Sequence, residues 1–352
     1  MRGVICYAQG SPCPTLVLPA MELPESRPAL VAALRAVRRA MPPADRDRIL
    51  KIALVGPAED PLFELDYQFV QCLPAGGVTE FEFRGSCGHS ILAAVAGADR
   101  LRLGPTVQPG GAGIRVRVRN NGDDVTCTAQ RLAGRDLVFT ARFERHRPPA
   151  LTELLLFGEP VTELSYGSGS VRLSAVSLGN PYVFVDARQV GQPSVRRLFT
   201  AGAELFATLS AIRRAAESRL GWAPGAFPKV AALLGMPAGG IAVRAISVPS
   251  WHPTLALTGA TCLAAAVMIP TTVPARLTGR TGPTGSDRPG TGWAAADPLV
   301  VTTPGGRTVV SAAASGPLPG DRLHWVTVTD KLVTILGEVE LPVTVPMLAG
   351  RV

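Results

Sequence analysis

The chain has 352 residues, of which 47% are hydrophobic and 18% are charged, and its formal net charge is +8. This length and composition exclude a disordered chain and allow two domains with a core each. The apolar runs are shorter than the roughly 20 residues of a membrane span, so no membrane partner is expected. Dispersed arginines and only 5% aromatic residues argue against nucleic acid, and the basic charge favours an anionic substrate.

The predicted elements follow a similar order in the two halves of the chain. The first residues predict a strand that runs into a turn, and an outer amphipathic helix follows over residues 28–40. A further strand is predicted over 51–55. In the second half, a strand over 183–186 is again followed by a helix, over 201–220. A stretch rich in Gly, Pro, Thr and Ser at 277–297 predicts a mobile surface loop.

Two glycine-containing turns recur with nearly the same spacing. Gly10 precedes Gly88 by 78 residues, and Gly179 precedes Gly259 by 80 residues. Small, apolar residues follow Gly88 and Gly259, which predicts a buried helix beginning at each of these glycines. The repeat implies two similar lobes, and two helix N-termini directed at one cleft between them would bind an anion through backbone N–H groups. The sequence therefore predicts a small carboxylate as the substrate.

The cysteines and histidines do not form a metal-binding or disulfide pattern. Six cysteines are scattered without Cys-x-x-Cys pairs, and the four histidines do not cluster. We therefore expect a reduced, cytoplasmic protein without a metal site. The sequence also contains no dinucleotide fingerprint, Walker loop or Gly-x-Ser-x-Gly elbow, which argues against nucleotide-dependent and hydrolase chemistry.

Lys51 is a candidate general base. Only 3 of the 35 basic residues are lysines, and Lys51 begins an apolar segment that is typical of a buried strand. A desolvated amine can lose its proton, whereas a guanidinium effectively cannot. The alternative is a lysine at a strand end whose ammonium reaches solvent.

Cys87 is a candidate acid or base partner of Lys51. It stands between Ser86 and Gly88, at the start of a predicted helix, where the helix N-terminus would stabilise a thiolate. The glycine would let a ligand approach the backbone closely. The alternative is that Cys87 is a small buried residue, which is the commoner role of a free cysteine.

Six segments, spread in order over nearly the whole chain, resemble the PrpF family of 2-methylaconitate cis-trans isomerases and methylitaconate delta-isomerases. They are 51–57, 66–71, 86–90, 179–186, 258–266 and 337–342. The resemblance implies an α+β fold like that of diaminopimelate epimerase: two pseudo-symmetric lobes, each a rolled, mostly antiparallel β-sheet around a central helix. We expect these lobes to span 1–170 and 171–352, with the last strand a candidate for returning to the first lobe.

The resemblance also implies which residues form the site. The family's acid/base lysine and cysteine match Lys51 and Cys87, and they work without a cofactor. The substrate-binding candidates lie in the matched turns and in the segments that replace family substrate contacts. They are Ser11, Ser86, Gly88, His89, Ser90, Asn180, Thr258, Gly259, Ala260, Thr303 and Gly305.

Several residues depart from the family pattern. The family's opening Arg-Gly-Gly-Thr-Ser-Lys-Gly segment is replaced by residues 8–14, the asparagine after Cys-Gly is His89, and a His-Pro-Ser-Gly segment appears as 303–306. Carboxylate recognition is therefore expected to differ. Ala256 or Thr258, depending on register, stands where an epimerase carries its second cysteine, which disfavours a symmetric two-thiol racemase.

These observations favour a cofactor-independent isomerase that shifts or rotates a C=C bond in an unsaturated carboxylic acid. Lys51 would remove an allylic proton and Cys87 would return one. One alternative is a diverged isomerase, tautomerase or cyclase that acts on a natural-product intermediate. Another is a non-catalytic carboxylate-binding protein. The sequence leaves open whether the protein forms a homodimer.

Overall fold

The computed structural model describes residues 1–75, 78–133, 136–145, 147–167, 169–225, 227–248, 250–280, 285–286 and 294–341. Most of the loop predicted at 277–297 therefore lies outside the described residues. The strands are β1 (Arg2–Ala8), β2 (Thr15–Pro19), β3 (Lys51–Pro57), β4 (Leu65–Ala75), β5 (Val78–Glu82), β6 (Ile114–Val118), β7 (Asp124–Ala133), β8 (Asp136–Glu144), β9 (Thr162–Tyr166), β10 (Gly169–Leu178), β11 (Asn180–Asp186), β12 (Lys229–Gly235), β13 (Ile241–Ser247), β14 (Ser250–Trp251), β15 (Gly285–Ser286), β16 (Ala294–Ala295), β17 (Leu299–Thr303), β18 (Gly306–Ala314) and β19 (Leu323–Glu340). The α-helices are α1 (Arg27–Ala40), α2 (Pro43–Arg48), α3 (Gly88–Leu101), α4 (Val195–Thr200), α5 (Ala203–Arg219), α6 (Leu257–Met268) and α7 (Val273–Thr278).

The chain divides into two compact units. The first comprises Met1–Gln9, Cys13–Phe139 and the segment that begins at Leu332. The second comprises Gly10–Pro12 and Thr140–Lys331. The boundary in the middle of the chain lies within β8, and the boundary near the end lies within β19.

The sheet of the first unit alternates antiparallel and parallel pairings. β1 pairs antiparallel with β2, β2 parallel with β3, β3 antiparallel with β4, β4 parallel with β6, and β6 antiparallel with β7. The second half of β19 adds to the free side of β1. Helix α3 packs against β1, β2 and β3 and is buried along nearly its whole length. It is the central helix of this unit.

The second unit repeats this alternation. β10 pairs antiparallel with β11, β11 parallel with β12, β12 antiparallel with β13, β13 parallel with β17, and β17 antiparallel with β18. Helix α6 packs against β10, β11 and β18, and all its residues are buried. The predicted α+β class, with one design repeated around two central helices, is therefore confirmed.

The outer helices also occupy equivalent places. Helix α1 connects β2 to β3, and helices α4 and α5 connect β11 to β12. In α1 the apolar residues Leu30, Leu34 and Val37 are buried, as their helical spacing predicts. The same spacing predicts Arg38 on the outer face, but it is also buried. The two terminal nitrogens of its guanidinium donate to the carbonyl oxygens of residues 46 and 49, which offsets part of the cost of burying the charge.

Across the described ranges, none of the helices has both the length and the apolar character that crossing a bilayer requires.

Candidate active site

The two predicted catalytic residues begin two elements of the first unit. Lys51 is the first residue of β3, and its Cα is opposite that of Thr15 in the parallel pairing with β2. Cys87 has an extended backbone and caps the N-terminus of α3. Lys51 is only 6% exposed, and it makes a hydrogen-bonding contact with the Cys87 thiol. The structure therefore brings these two side chains together.

Competing effects set the charge state of Cys87. Burial raises the pKa of its thiol, whereas the charge of Lys51, the hydroxyl and backbone N–H of Ser90, and a hydrogen bond from Lys51 lower it. The lowering effects prevail, so the pKa of Cys87 lies below the ordinary value of 9.0. By contrast, burial raises the pKa of the Cys6 and Cys127 thiols to about 12. The position of Cys87 therefore favours a thiolate.

Buried hydroxyl groups surround the start of α3. The Ser90 hydroxyl is fully buried, contacts the Cys87 sulfur and lies 2.9 Å, oxygen to oxygen, from the hydroxyl of Thr15. The Tyr67 hydroxyl donates to the Cys87 carbonyl oxygen over 3.3 Å and also hydrogen-bonds Ser90. Burial raises the pKa of Tyr67 well above its ordinary value, so this hydroxyl keeps its proton. Ser90, predicted from the sequence to bind substrate, is engaged here with protein groups.

A second thiol lies beside the same lysine. Cys13 precedes β2 by two residues, and its sulfur accepts a hydrogen bond from the backbone N–H of Leu50. It also lies near enough to interact electrostatically with Lys51 and Cys87. Burial, the largest effect, raises the pKa of Cys13 above the ordinary thiol value. Cys13 and Cys87 are half-buried, whereas the other four cysteines are buried.

The remaining candidates around Cys87 expose little side-chain surface. Ser86 is 7% exposed, His89 is 1% exposed, and Gly88 is the buried first residue of α3. Any contact of these residues with an anion would therefore depend on the backbone N–H groups at the start of the 14-residue helix.

In the second unit, candidates from β11 and α6 come together. The side-chain amide of Asn180 donates to the hydroxyl oxygen of Thr258 over 3.1 Å. A Cβ at Gly259 would lie only 2.5 Å from the Tyr182 ring, so this glycine permits close packing of α6 on β11. The prediction that the helix begins at Gly259 is wrong, because α6 begins at Leu257. Ala260, the fourth residue of α6, is buried.

Thr254, which the sequence patterns do not single out, joins two other candidate segments of this unit. Its hydroxyl donates to the carbonyl oxygen of Gly10 over 2.8 Å, and Ser11, which follows, is 3% exposed. A Cβ at Gly305 would lie 2.8 Å from the Thr254 methyl group. The hydroxyl of Thr303 donates to the carbonyl oxygen of residue 306 within its own hairpin.

The equivalent positions in the two units differ in chemistry. The residue that caps α6 is Ala256, as Cys87 caps α3. The thiol position therefore corresponds to alanine in the second unit. Lys229 is the first residue of β12, as Lys51 is of β3, and its ammonium donates to the Ser247 hydroxyl over 3.1 Å. Sequence reasoning did not single out this second lysine, although each of the two lysines begins an apolar strand.

The fold matches solved structures along nearly the whole chain. Methylitaconate-delta-isomerase aligns with a TM-score of 0.64 at 20% identity, over 99% of both chains. A hydroxyproline epimerase from Agrobacterium vitis, with bound trans-4-OH-L-proline, aligns with a TM-score of 0.59 at 16% identity, over 99% of this chain and 94% of that chain. A phenazine biosynthesis protein of the PhzF family from Bacillus anthracis aligns with a TM-score of 0.51 at 9% identity, over 97% of this chain and 99% of that chain.

These similarities show the fold and confirm the one that the sequence resemblance implied. No protein-family model matches the chain, and neither does any curated protein sequence.

The part of the chain that the structure describes contains no group of three or more histidine, cysteine, aspartate or glutamate side chains placed to hold a metal ion.

Proposed function

We propose that this protein is a cofactor-independent isomerase that shifts or rotates a C=C bond in an unsaturated carboxylic acid. The observation that carries the proposal is the contact between Lys51 and Cys87, with the thiol pKa lowered beside the lysine. A thiol and an amine in contact form an acid/base pair that can exchange a proton. The fold shared with methylitaconate-delta-isomerase supports this reading.

The lowered pKa of Cys87 favours this residue as the base, the reverse of the roles expected from the sequence. The thiolate takes the allylic proton, and the electron pair of the broken C–H bond spreads over the carboxylate as a dienolate. The Lys51 ammonium stabilises this added negative charge. A proton is then returned at the other end of the allyl system, or to the opposite face after bond rotation. This proton comes from Lys51, either directly or through a neighbouring acid.

Deuterium exchange tests the proposal even when the product has not been identified. The protein is incubated in deuterium oxide with methylitaconate, methylaconitate and aconitate, and allylic exchange and new isomers are followed by NMR. We expect exchange with the wild type and a loss of about 10²-fold or more in Cys87→Ser and Lys51→Ala. Cys127→Ala, which changes a buried thiol of the same unit, is the matched control. Full exchange in both site variants would refute the acid/base pair.

A second candidate keeps the chemistry but changes the substrate. In residues 8–14, Ala8, Pro12 and Cys13 stand where the family that the chain resembles has its arginine, serine and lysine, and a phenazine biosynthesis protein shares the fold. These observations favour an isomerase, tautomerase or cyclase that acts on another unsaturated acid. Exchange that requires Cys87 with such an acid, but is absent with the three acids above, would support it. Tight binding of an acid without any exchange would instead support a carboxylate-binding protein.

A further inference from the structure

We propose that Cys13 is a further catalytic residue, the thiol that returns the proton to the substrate after Cys87 has removed one. This inference rests on the proposed function and adds a second proton carrier to it. It assigns a role to the opening segment, in which the chain differs from the family that it resembles.

The backbone holds Cys13 beside the catalytic lysine. The parallel pairing of β2 with β3 places Thr15 opposite Lys51, and Cys13 lies two residues before Thr15. The N–H of Leu50, the residue before Lys51, donates to the Cys13 sulfur. Cys13 is thus held by the strand that follows it and by the Leu50 N–H just before β3.

Accessibility distinguishes Cys13 from the other thiols. Cys13 and Cys87 are half-buried, and both interact with Lys51. Cys6, Cys72 and Cys127 are at most 1% exposed. The two thiols of this unit that are partly exposed are therefore the two that interact with the lysine.

The two thiols differ in protonation, as a base and an acid must. The surroundings lower the pKa of Cys87, which favours its thiolate, and burial raises the pKa of Cys13, which favours its thiol. Titratable neighbours whose pKa values are pushed apart are the usual sign of divided acid and base roles.

The proton steps balance around Lys51. Cys87 gains the allylic proton, which leaves a dienolate. The S–H bond of Cys13 breaks as a new C–H bond forms, which leaves a Cys13 thiolate. The Lys51 ammonium reprotonates Cys13, and the resulting neutral amine takes the proton from the Cys87 thiol. The protein returns to its starting charges without another reactant.

The role of Cys13 is tested by measuring deuterium exchange and isomer formation separately. With methylitaconate in deuterium oxide, Cys13→Ala is expected to keep deuterium exchange at the carbon that Cys87 deprotonates, while the rate of isomer formation falls about 10²-fold. Cys87→Ser should lose both, and Cys127→Ala should keep both. If Cys13→Ala forms product at the wild-type rate, or loses exchange and product equally, the role of Cys13 is refuted. If the wild type itself shows no exchange, the proposed function fails first and the Cys13 role fails with it.

A substrate-independent probe tests the placement of the thiols. Phenylarsine oxide binds two thiols at once and should protect Cys13 and Cys87 of the wild-type protein from alkylation by iodoacetamide. This protection should disappear in Cys13→Ala and in Cys87→Ser and remain in Cys127→Ala. Protection that persists in Cys13→Ala would show that another group pairs with Cys87 and would overturn the proposal.

Discussion

The hydroxyl oxygens of Thr15 and Ser90 lie 2.9 Å apart, which joins β2 to the first turn of α3. Thr15 is 2% exposed and Ser90 is fully buried. Because Ser90 also contacts the Cys87 sulfur, the hydrogen bond between Thr15 and Ser90 orients the hydroxyl that stabilises the thiolate. Thr15 thus influences the thiol through an intermediate hydroxyl.

Thr15→Val is expected to raise the pKa of Cys87 by about half a unit to one unit, because one hydrogen bond contributes roughly 0.5–1.5 kcal/mol. The pH dependence of Cys87 alkylation by iodoacetamide measures this shift. Thr140→Val is the matched control, since the Thr140 hydroxyl has no hydrogen-bond partner among the described residues. An unchanged pH profile in Thr15→Val would contradict the orienting role.

Lys51→Met should raise the pKa of Cys87 above its ordinary value, because burial then acts without the opposing ammonium charge. The ultraviolet absorbance of the thiolate, followed during a pH titration, measures the change. Lys229→Met alters the equivalent first residue of β12 and should leave the Cys87 titration as in the wild type. Equal titration curves for Lys51→Met and the wild type would show that the lysine does not hold the thiolate.

Lys331→Met should stabilise the protein at pH 7 by up to about 3 kcal/mol. Lys331 is 5% exposed, and burial lowers its pKa from 10.5 to about 8, against a small opposing effect of Asp330. Between these values the unfolded chain binds more protons than the folded protein, so the wild type gains stability as the pH rises. The difference between variant and wild type, measured by urea unfolding, should therefore shrink from pH 8 to pH 10.5. A difference that stays constant over this range would exclude a buried titrating amine.

Gly259→Ala should destabilise the second unit by about 1–3 kcal/mol, because the new methyl group would meet the buried ring of Tyr182. Tyr182 stacks on Phe184, with ring centroids 5.8 Å apart, and has little room to move. Gly320→Ala, where a Cβ meets no atom within 4 Å, should change stability by less than about 0.5 kcal/mol. Thermal unfolding compares the two variants. Equal stability would show that α6 can shift to accept the methyl group.

The repeated architecture of the two units could be predicted from the sequence, because it depends on local residue patterns and their spacing. The apolar residues after Gly88 predict a buried helix whatever packs around it, and the regular spacing of Leu30, Leu34 and Val37 predicts the buried face of α1. The resemblance to a family then supplied the pairing of Lys51 with Cys87. These features do not depend on strand register.

The hydroxyl contacts that stabilise the Cys87 thiolate could not be predicted from local sequence patterns. Thr15 contacts Ser90 only because α3 packs against β2, and this packing depends on residues far apart in the chain. Arg38 and Arg213 also escaped prediction, since helical spacing assigns charged residues to the surface. Both are buried, and each donates to backbone carbonyl oxygens supplied by a neighbouring segment.

The last strand sets the order in which the chain can complete its sheets during synthesis. Residues 323–329 of β19 pair with β18, whereas residues 333–340 pair with β1, which is synthesised more than 320 residues earlier. At roughly 5–20 residues per second, β1 therefore waits for about 15–65 s before this partner exists. During that time one edge of the strand carries unpaired backbone groups, which are prone to aggregation. A nascent chain stalled before residue 332 would keep that edge open.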